Sequence, residues 1–596
     1  MLRGAPRLFM TIVLSVSQVT IAQNTIAQDT TPNPAGRWLS HIQYLASDEL
    51  AGRETGSEGH RRAAQYVADA FKRAGLKPGG TQGYFQPVKF ISRKIVEEQS
   101  SLSIIRNPTG VVPAKQRARV DESTRRASVD ESKQRASVGG STQQARDGES
   151  TQRGSVGESI GKEESVVLGE EATFSMSIEH APLTEAPIVF VGYGLTVPEN
   201  NYDDLAGLDL RGKVVLLLSG GPSEIPGPLR AHYQNTRWEA LKRAGVIGVI
   251  SIQNPIGQDI PWERSKLARL RPALSLAGAG MEENSGQQLA VTFNPAKAER
   301  LFVDSGQSFA EILKLAEAGK PLPRFAIPAS VRAVVKIEKR IVESQNVAGI
   351  LPGSDPRLRN EYVVLTAHLD HVGTGEPING DPIYNGAMDN ASGIATLLEA
   401  ARTISEKKQR FRRSVVFLAV TAEEHGLRGS RYYAAHPTVP ARGIVANINI
   451  DMFLPLFPFR SFIVQGLEES NLAGDLQSVA RSIGVEVLSD PEPERRAFVR
   501  SDQYSFIRKG VPAISLKVGF VKDSPEHQIV KRWRRERYHA PSDDLQQPID
   551  FEAAAKFNAA YLQIVEAVAN RAHRPRWNSS SFFKRFASAE KLVPAQ

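Results

Sequence analysis

The chain has 596 residues, 41% of them hydrophobic and 23% charged, an ordinary composition for a soluble globular protein and a length that calls for two or more folded units. It contains no cysteine, which excludes disulfides and thiolate metal sites and leaves histidine and carboxylate as the only ligands for zinc. The net charge of +9 is spread along the chain with no recognition motif beside it, so nucleic acid is not expected as a partner.

In chain order, Arg3 and Arg7 precede a short apolar run, Leu8 to Val19, and the small-residue site Thr20-Ile21-Ala22. This reads as a secretory signal peptide over 1–22, with a retained anchor as the alternative. The run is short for a membrane span, no other stretch approaches about 18 apolar residues, and no stable membrane insertion is expected. A cysteine-free exported protein points to a bacterial periplasm or exterior. Next, Ala64, Val67, Ala68, Phe71 and Leu76 recur near helical spacing, and Gly75 can close the helix. The polar loop ASDELAGRETGSEGH precedes them, and YFQPVKFISRKIV follows as a strand.

From Lys115 to Ser159 the chain repeats every nine residues: KQRARVDES, TRRASVDES, KQRASVGGS, TQQARDGES, TQRGSVGES. The Gly-Gly-x-Gly-x-Asp core of calcium-binding nonapeptides is missing. With at most one valine per repeat, too little surface can be buried to offset chain entropy. The segment reads as disordered, an expanded loop between two strands.

From Ala186 to Ile327 a second unit is expected. PIVFVGYGL and KVVLLLSGG are strand-like, and TRWEALKRAGVIGVISIQ reads as a helix, a Gly-broken turn and a buried strand. Through VGYG, LRGKVVLLL and KRAGVIGVI it resembles a protease-associated domain. It carries a single His232 and no clustered carboxylates near it, so it is expected to shape access to a cleft, as a passive lid or as a selector of substrates.

From Ser344 onward strands and helices alternate, the pattern of an α/β fold with a mostly parallel mixed sheet and helices on both faces. Tyr362 to Ala367, Ser414 to Val420 and Ile444 to Ile450 are strands. Ile394, Leu397, Leu398, Ala401 and Ile404 mark one helix face. Asp550 to Asn570 is a closing helix with Phe551, Ala554, Phe557, Tyr561, Ile564, Val565 and Val568 inward. The basic tail, 571–596, reads as loose.

His368, Asp370, Asp389, Glu423, Glu424 and Asp451 fall at strand ends or a helix start, where an open α/β sheet presents side chains to a cleft, and His539 follows downstream. Singly, each has a plain reading: Asp389 as a helix cap, Glu423-Glu424 as a solvated turn, His368, His371 and His539 as loop or strand-end residues. Together, acids directly after the apolar runs FLAV and NINI are not explained by solubility. A two-metal hydrolase site accounts for them, since a carboxylate can share its two oxygens between metals about 3.5–4 Å apart. Asp370, two residues past His368, would share its strand face and accept its second N–H. One of the paired glutamates can hold metal while the other takes a proton from water.

The motifs HLDHVG, GAMDNASG, TAEEHGLRGS, NIDM and YHAPSDD resemble the metallopeptidase family M28 of zinc aminopeptidases and related exopeptidases, as do LASDELAGRETGSEGH and GYFQPVKF. The resemblance implies a zinc exopeptidase fold over 344–570, with 30–100 as its N-terminal part and 186–327 inserted. It implies two Zn2+ ions: His368 and Asp451 on one, Glu424 and His539 on the other, Asp389 bridging. Glu423 would be the general base and Asp370 the partner that orients His368. The implied function is an exported aminopeptidase acting on peptides. The alternatives are a carboxypeptidase or dipeptidase, needing Arg428, Arg495, Arg496 or Arg500 at the cleft, and a non-catalytic binding protein on the same scaffold. Family members often read Ser-Asp-His where SDQYSF here has Gln503, which bears on a polar contact to substrate. Tyr504 is a candidate for that contact or a packing residue. Nothing in the sequence specifies an oligomeric state.

Overall fold

The computed structural model describes residues 34–106 and 162–589, apart from 257–259, 279–280 and 283. The readings of 1–22 as a signal peptide and of 115–159 as disordered repeats lie outside these residues. Two sheets organise the rest. The larger contains β1 (Phe85–Ile95), β2 (Ala273–Leu276), β3 (Ile337–Leu351), β4 (Tyr362–His368), β5 (Ser414–Val420), β6 (Ile444–Asn449), β7 (Ser461–Gln465), β8 (Glu486–Leu488) and β9 (Ala513–Val518). Their spatial order is β2-β1-β3-β5-β4-β6-β9-β7-β8, with Lys77–Pro78 paired to β3. The centre, β5-β4-β6-β9, is parallel, and the β3–β5 and β9–β7 pairings that flank it are antiparallel. The sheet is thus parallel where its strand ends converge and is bounded on each side by an antiparallel pairing, beyond which the edge pair β7–β8 is again parallel.

The central strands are apolar on both faces because both are covered. Val363, Leu365 and Ala367 of β4 pack with Trp38, Phe71, Leu397 and Phe557, from four helices on one side. Val364 joins Tyr433 and Phe506, from the helices Arg428–Ala435 and Gln503–Ile507, on the other. The closing helix runs Phe551–Asn570 and is capped by Asp550, which accepts the Ala553 N–H at 2.8 Å. Its inward residues are those the periodicity selects, except Phe551, which is 45% exposed because it opens the helix at the edge of the core.

The second unit is an eight-stranded sheet in the order Lys162–Val166, Ser101–Arg106, Arg324–Val334, Leu183–Val191, Val214–Leu218, Gly248–Ile252, Leu289–Phe293, Ala172–Phe174. It extends beyond the expected 186–327 on both sides, since Ser101–Arg106 pairs with both Arg324–Val334 and Lys162–Val166. The segments flanking the repeats are therefore adjacent antiparallel strands, and a long connection between them needs no rearrangement of either. From this unit β2 crosses over to pair with β1 of the larger sheet. Among the described residues, no helix is long and apolar enough to cross a membrane.

The tail is not loose as far as it is described. Trp577 and Phe583 are buried with Phe498, Ile507 and Ala231, and the Trp577 indole donates to the Gly510 carbonyl at 2.8 Å. Trp577, Phe582, Phe583 and Phe586 form an aromatic face that fills the seam between the two units.

The loop before Arg500 is fastened by Glu492. Both Arg534 terminal nitrogens donate to its carboxylate at 2.8 Å. His527 Nδ1 accepts the Asp523 N–H, so its Nε2 donates to Glu492 Oε1 at 3.0 Å. Burial raises the Glu492 pKa, but Arg534 and Arg495 outweigh it and bring it down to about 2. Glu492→Gln is expected to cost about 2–3 kcal/mol at neutral pH, less than a fully enclosed pair because solvent reaches its rim. A depressed carboxylate pKa stabilises the fold above the unfolded value near 4.5 and loses that contribution as pH falls toward about 2. Denaturant titrations at pH 7 and pH 2 should therefore show wild type and variant diverging at the first and converging at the second.

Candidate metal centre

The candidate residues meet at the carboxyl ends of the parallel strands. His368 ends β4, Glu423 and Glu424 follow β5, Asp451 follows β6, Asp389 precedes the helix Ser392–Glu406, and His539 lies beyond the helix Pro525–Glu536. Asp389 is central. Its Oδ1 lies 3.1 Å from His368 Nε2 and its Oδ2 lies 3.3 Å from His539 Nε2. Asp451 Oδ1 is 3.5 Å from the same His368 nitrogen, and Glu424 Oε2 is 3.0 Å from the same His539 nitrogen. One carboxylate thus faces two separate donor sets, one with each oxygen.

These contacts are close without being hydrogen bonds. His368 Nε2, Asp451 Oδ1, Glu424 Oε1 and both ring nitrogens of His371 are buried with no hydrogen-bond partner. Buried polar atoms without partners are rare, and lone pairs converging on shared spaces are what cations satisfy. Three such groups have their ligand atoms within 4.8 Å of one another: His368–Asp389–Asp451 and His371–Asp389–Glu424, which share Asp389, and His368–Glu423–Glu424. The nitrogen and oxygen donors suit zinc.

The charges are pushed apart. Burial lowers the His368 pKa, but Glu423, Asp389 and Asp451 hold it well above the usual histidine range. Burial raises Glu423 well above the carboxylate range, with Asp451 and Asp502 adding to it against His368. Burial also works against ionised Glu424, yet His539 and His371 keep it well below that range. Adjacent glutamates with opposite displacements can take different roles.

Asp370 behaves differently from its expected role. β4 stops at His368, so the strand alternation that would place the two side chains together no longer applies. His368 Nδ1 meets the Asp370 backbone oxygen at 3.1 Å. The Asp370 carboxylate instead accepts the Glu423 and Glu424 backbone N–H groups, at 3.1 and 3.3 Å, and the Thr55 hydroxyl at 3.2 Å. It holds the turn that aims the paired glutamates. Ala422, Met452 and His539 beside the site adopt positive φ of 55°, 50° and 53°, conformations that cost non-glycine residues roughly 1–2 kcal/mol each and cluster where function demands them.

His371 and Asp543 were given no role at the site from the sequence. His371 Nδ1 lies 2.8 Å from Glu424 Oε1; its place in HLDH, three residues past His368, was the available sign. Asp543, inside YHAPSDD, accepts the Met388 and Asp389 N–H groups at 2.9 and 3.0 Å. Gln503 makes no use of the position expected for a substrate contact. Its amide oxygen accepts from Asn449 at 2.8 Å and its nitrogen donates to the Ala497 and Phe498 carbonyls, bracing the end of β6. Tyr504 points its hydroxyl at His232 Nδ1, 2.8 Å away, and packs across the seam. Of the four arginines considered for a carboxylate, Arg495 and Arg500 border a cavity beside Asp451. Arg428 bonds the His425 carbonyl, and Arg496 the Gln234 side chain.

Residues 346–565 match the sequence profile of "Peptidase family M28". The chain is 30% identical over 228 residues to "Aminopeptidase YwaD" of Bacillus subtilis, covering 36% of this chain and 45% of that one. It is 28% identical over 248 residues to a protein of Pyrenophora tritici-repentis named "Probable zinc metalloprotease", covering 36% and 55%. The chain thus spans about half the length of these curated relatives. A solved aminopeptidase from Aneurinibacillus sp. strain AM-1 shares the fold, with a TM-score of 0.50 at 20% identity over 91% of this chain and 98% of that one.

All seven candidate residues lie inside the matched segment, but the chain before it reaches in. Arg53, fully buried, donates to the carbonyls of Leu369, Asn385 and Gly386 at 3.0, 2.6 and 3.0 Å, and to that of Leu45. It clamps the segments that carry Asp370 and Asp389. Burial lowers its pKa to about 10, with Asp543, Asp370 and Asp389 opposing the shift, so it remains a cation.

Proposed function

We propose that the chain is an exported aminopeptidase that holds two zinc ions and removes N-terminal residues from peptides. The observation that carries this reading is Asp389, with one oxygen toward His368 and the other toward His539. His368 and Asp451 would hold one ion, Glu424 and His539 the other, and Asp389 both, with His371 orienting Glu424. Zinc at these positions supplies Lewis-acid polarisation of the scissile carbonyl and acidification of a water. The metalloprotease and aminopeptidase names of the curated relatives are consistent with that choice.

Glu423 is then the base. It takes a proton from the attacking water as the new C–O bond forms, and returns it to the leaving nitrogen as the C–N bond breaks. Asp370 positions it by fixing its backbone N–H. Export rests on the Arg3–Ala22 segment, and the second sheet, read as a protease-associated domain, walls the cleft through β2 and Arg271, whose guanidinium donates to the Val372 carbonyl at 2.9 Å.

The test is a panel of free, N-acetylated and C-amidated peptides, with metal analysis alongside. Free and C-amidated peptides should lose N-terminal residues, N-acetylated ones should be inert, a chelator should abolish turnover, and zinc should restore it at two ions per chain. Cleavage of N-acetylated peptides with refusal of C-amidated ones would instead identify a carboxypeptidase.

A further inference from the structure

Three cavities meet the metal centre. Two are wide, about 390 and 600 Å³, and reach Glu424 and His539. The third is small, about 50 Å³, and has Asp389, Glu423 and Asp451 in its wall. An enzyme that detaches one residue at a time needs a confined pocket for that residue's side chain and open space for the remaining peptide. The small cavity fits the first need and the wide ones the second.

The walls of the small cavity are polar. They include Gln465, Ser515 and Lys517 from strands β7 and β9, with Arg495 and Arg500 from the loop that Glu492 fastens. Among the described residues Lys517 forms no ion pair with a carboxylate; Asp490 acts on it from the loop, and Asp451 and Asp389 act on it from the metal centre. Those two are already engaged as donors to the metal centre. Zinc ions held by Asp389, Glu424 and Asp451 would offset those carboxylates, and the cavity wall keeps the ammonium of Lys517 beside the guanidinium groups of Arg500 and of Arg495, which also pairs with Glu492 at 3.8 Å. An apolar side chain placed there would strip water from an ammonium and offer no hydrogen bond in return. A carboxylate would supply it.

The volume narrows the choice. At about 10–15 Å³ for each water-sized group, a cavity of 50 Å³ takes roughly four non-hydrogen atoms, the number in an aspartate side chain beyond Cα. We propose that this cavity selects an acidic N-terminal residue, aspartate ahead of glutamate, with Lys517 and Arg495 binding its carboxylate. The orientation of the substrate, amino terminus toward Asp451, rests on the aminopeptidase reading; the charge preference of the cavity does not.

The experiment compares p-nitroanilides of Asp, Glu, Ala and Leu with the zinc-loaded full chain, and measures binding of free L-aspartate and L-leucine by calorimetry. Aspartate should exceed leucine roughly 10- to 100-fold in kcat/KM and in affinity, the range of a charge-assisted contact. Lys517→Leu should erase or invert both ratios with zinc content unchanged, and Lys517→Arg should keep the preference. Should Lys517→Leu fail to fold, Arg495→Gln should reduce both ratios instead. Leucine turned over as fast as aspartate, with ratios unmoved by these variants, would overturn the proposal while leaving the aminopeptidase intact. No anilide cleaved, but aspartate binding preferred in a Lys517-dependent way, would uphold the pocket and remove the aminopeptidase. No cleavage and no preference would end both.

Discussion

Replacing Glu423 by glutamine is expected to lower kcat/KM roughly 10³-fold or more while the protein still binds zinc, a loss at the upper end of general acid–base catalysis. Glu423 lies outside the two ligand groups that share Asp389, although it forms a third with His368 and Glu424, and its position is set from behind, by the Asp370 carboxylate on its backbone N–H. Glutamine keeps the shape and that backbone contact but cannot accept a proton. A base must be ionised to work, so the wild-type rate should rise with pH through the Glu423 pKa, and this acid-side limb should vanish in the variant. Glu424→Gln provides the contrast. It alters a group bound by His539 and His371 at 3.0 and 2.8 Å, so it should lose zinc as well as rate. If Glu423→Gln retained turnover within a few fold of wild type, the proton would have to move by another route.

The fold and most of the candidate site were legible because both rest on local chemistry. Continuous apolar strands announce a sheet covered on both faces, and acids that directly follow such strands have nowhere to go but the cleft at their ends. What could not be read depends on where strands stop and on contacts between distant segments. Alternation along β4 would put Asp370 beside His368, but β4 ends at His368, and the next turn sends the Asp370 carboxylate to the Glu423–Glu424 backbone. Arg53 sits more than 300 positions from the carbonyls of Leu369, Asn385 and Gly386 that it binds, and no periodicity marks it. The tail was misread for the same reason: its basic residues dominate the composition, while Trp577 and Phe583 matter only because Ala231, Phe498 and Ile507 form a groove for them. Gln503 looked like a change at the chemistry, yet its amide is wholly engaged by Asn449, Ala497 and Phe498.

Asp389→Asn should cost the protein at least one of its two zinc ions and nearly all its activity. The substitution leaves the backbone unchanged, because Asp543 fixes the Met388 and Asp389 N–H groups whatever the side chain. It removes the charge that serves both donor sets at once. An amide offers one oxygen where the carboxylate offers two, and its nitrogen would point a donor at either His368 or His539. A ligand that binds only the folded state raises stability by about 4 kcal/mol at a thousand times its Kd, so zinc should raise the wild-type Tm strongly and the variant's far less. Protons provide an independent reading. Burial lowers the His539 pKa, but Glu424 and Asp389 hold it up at about 9. Zinc uptake near neutral pH must therefore displace a proton from His539, and affinity should rise with pH up to that value. In Asp389→Asn part of that support is gone, and fewer protons should be released on binding, measurable by calorimetry in buffers of different ionisation enthalpy. An Asp389→Asn protein that bound two zinc ions with undiminished proton release would show that the paired donor sets do not depend on a shared aspartate, and the two-metal reading would lose its foundation.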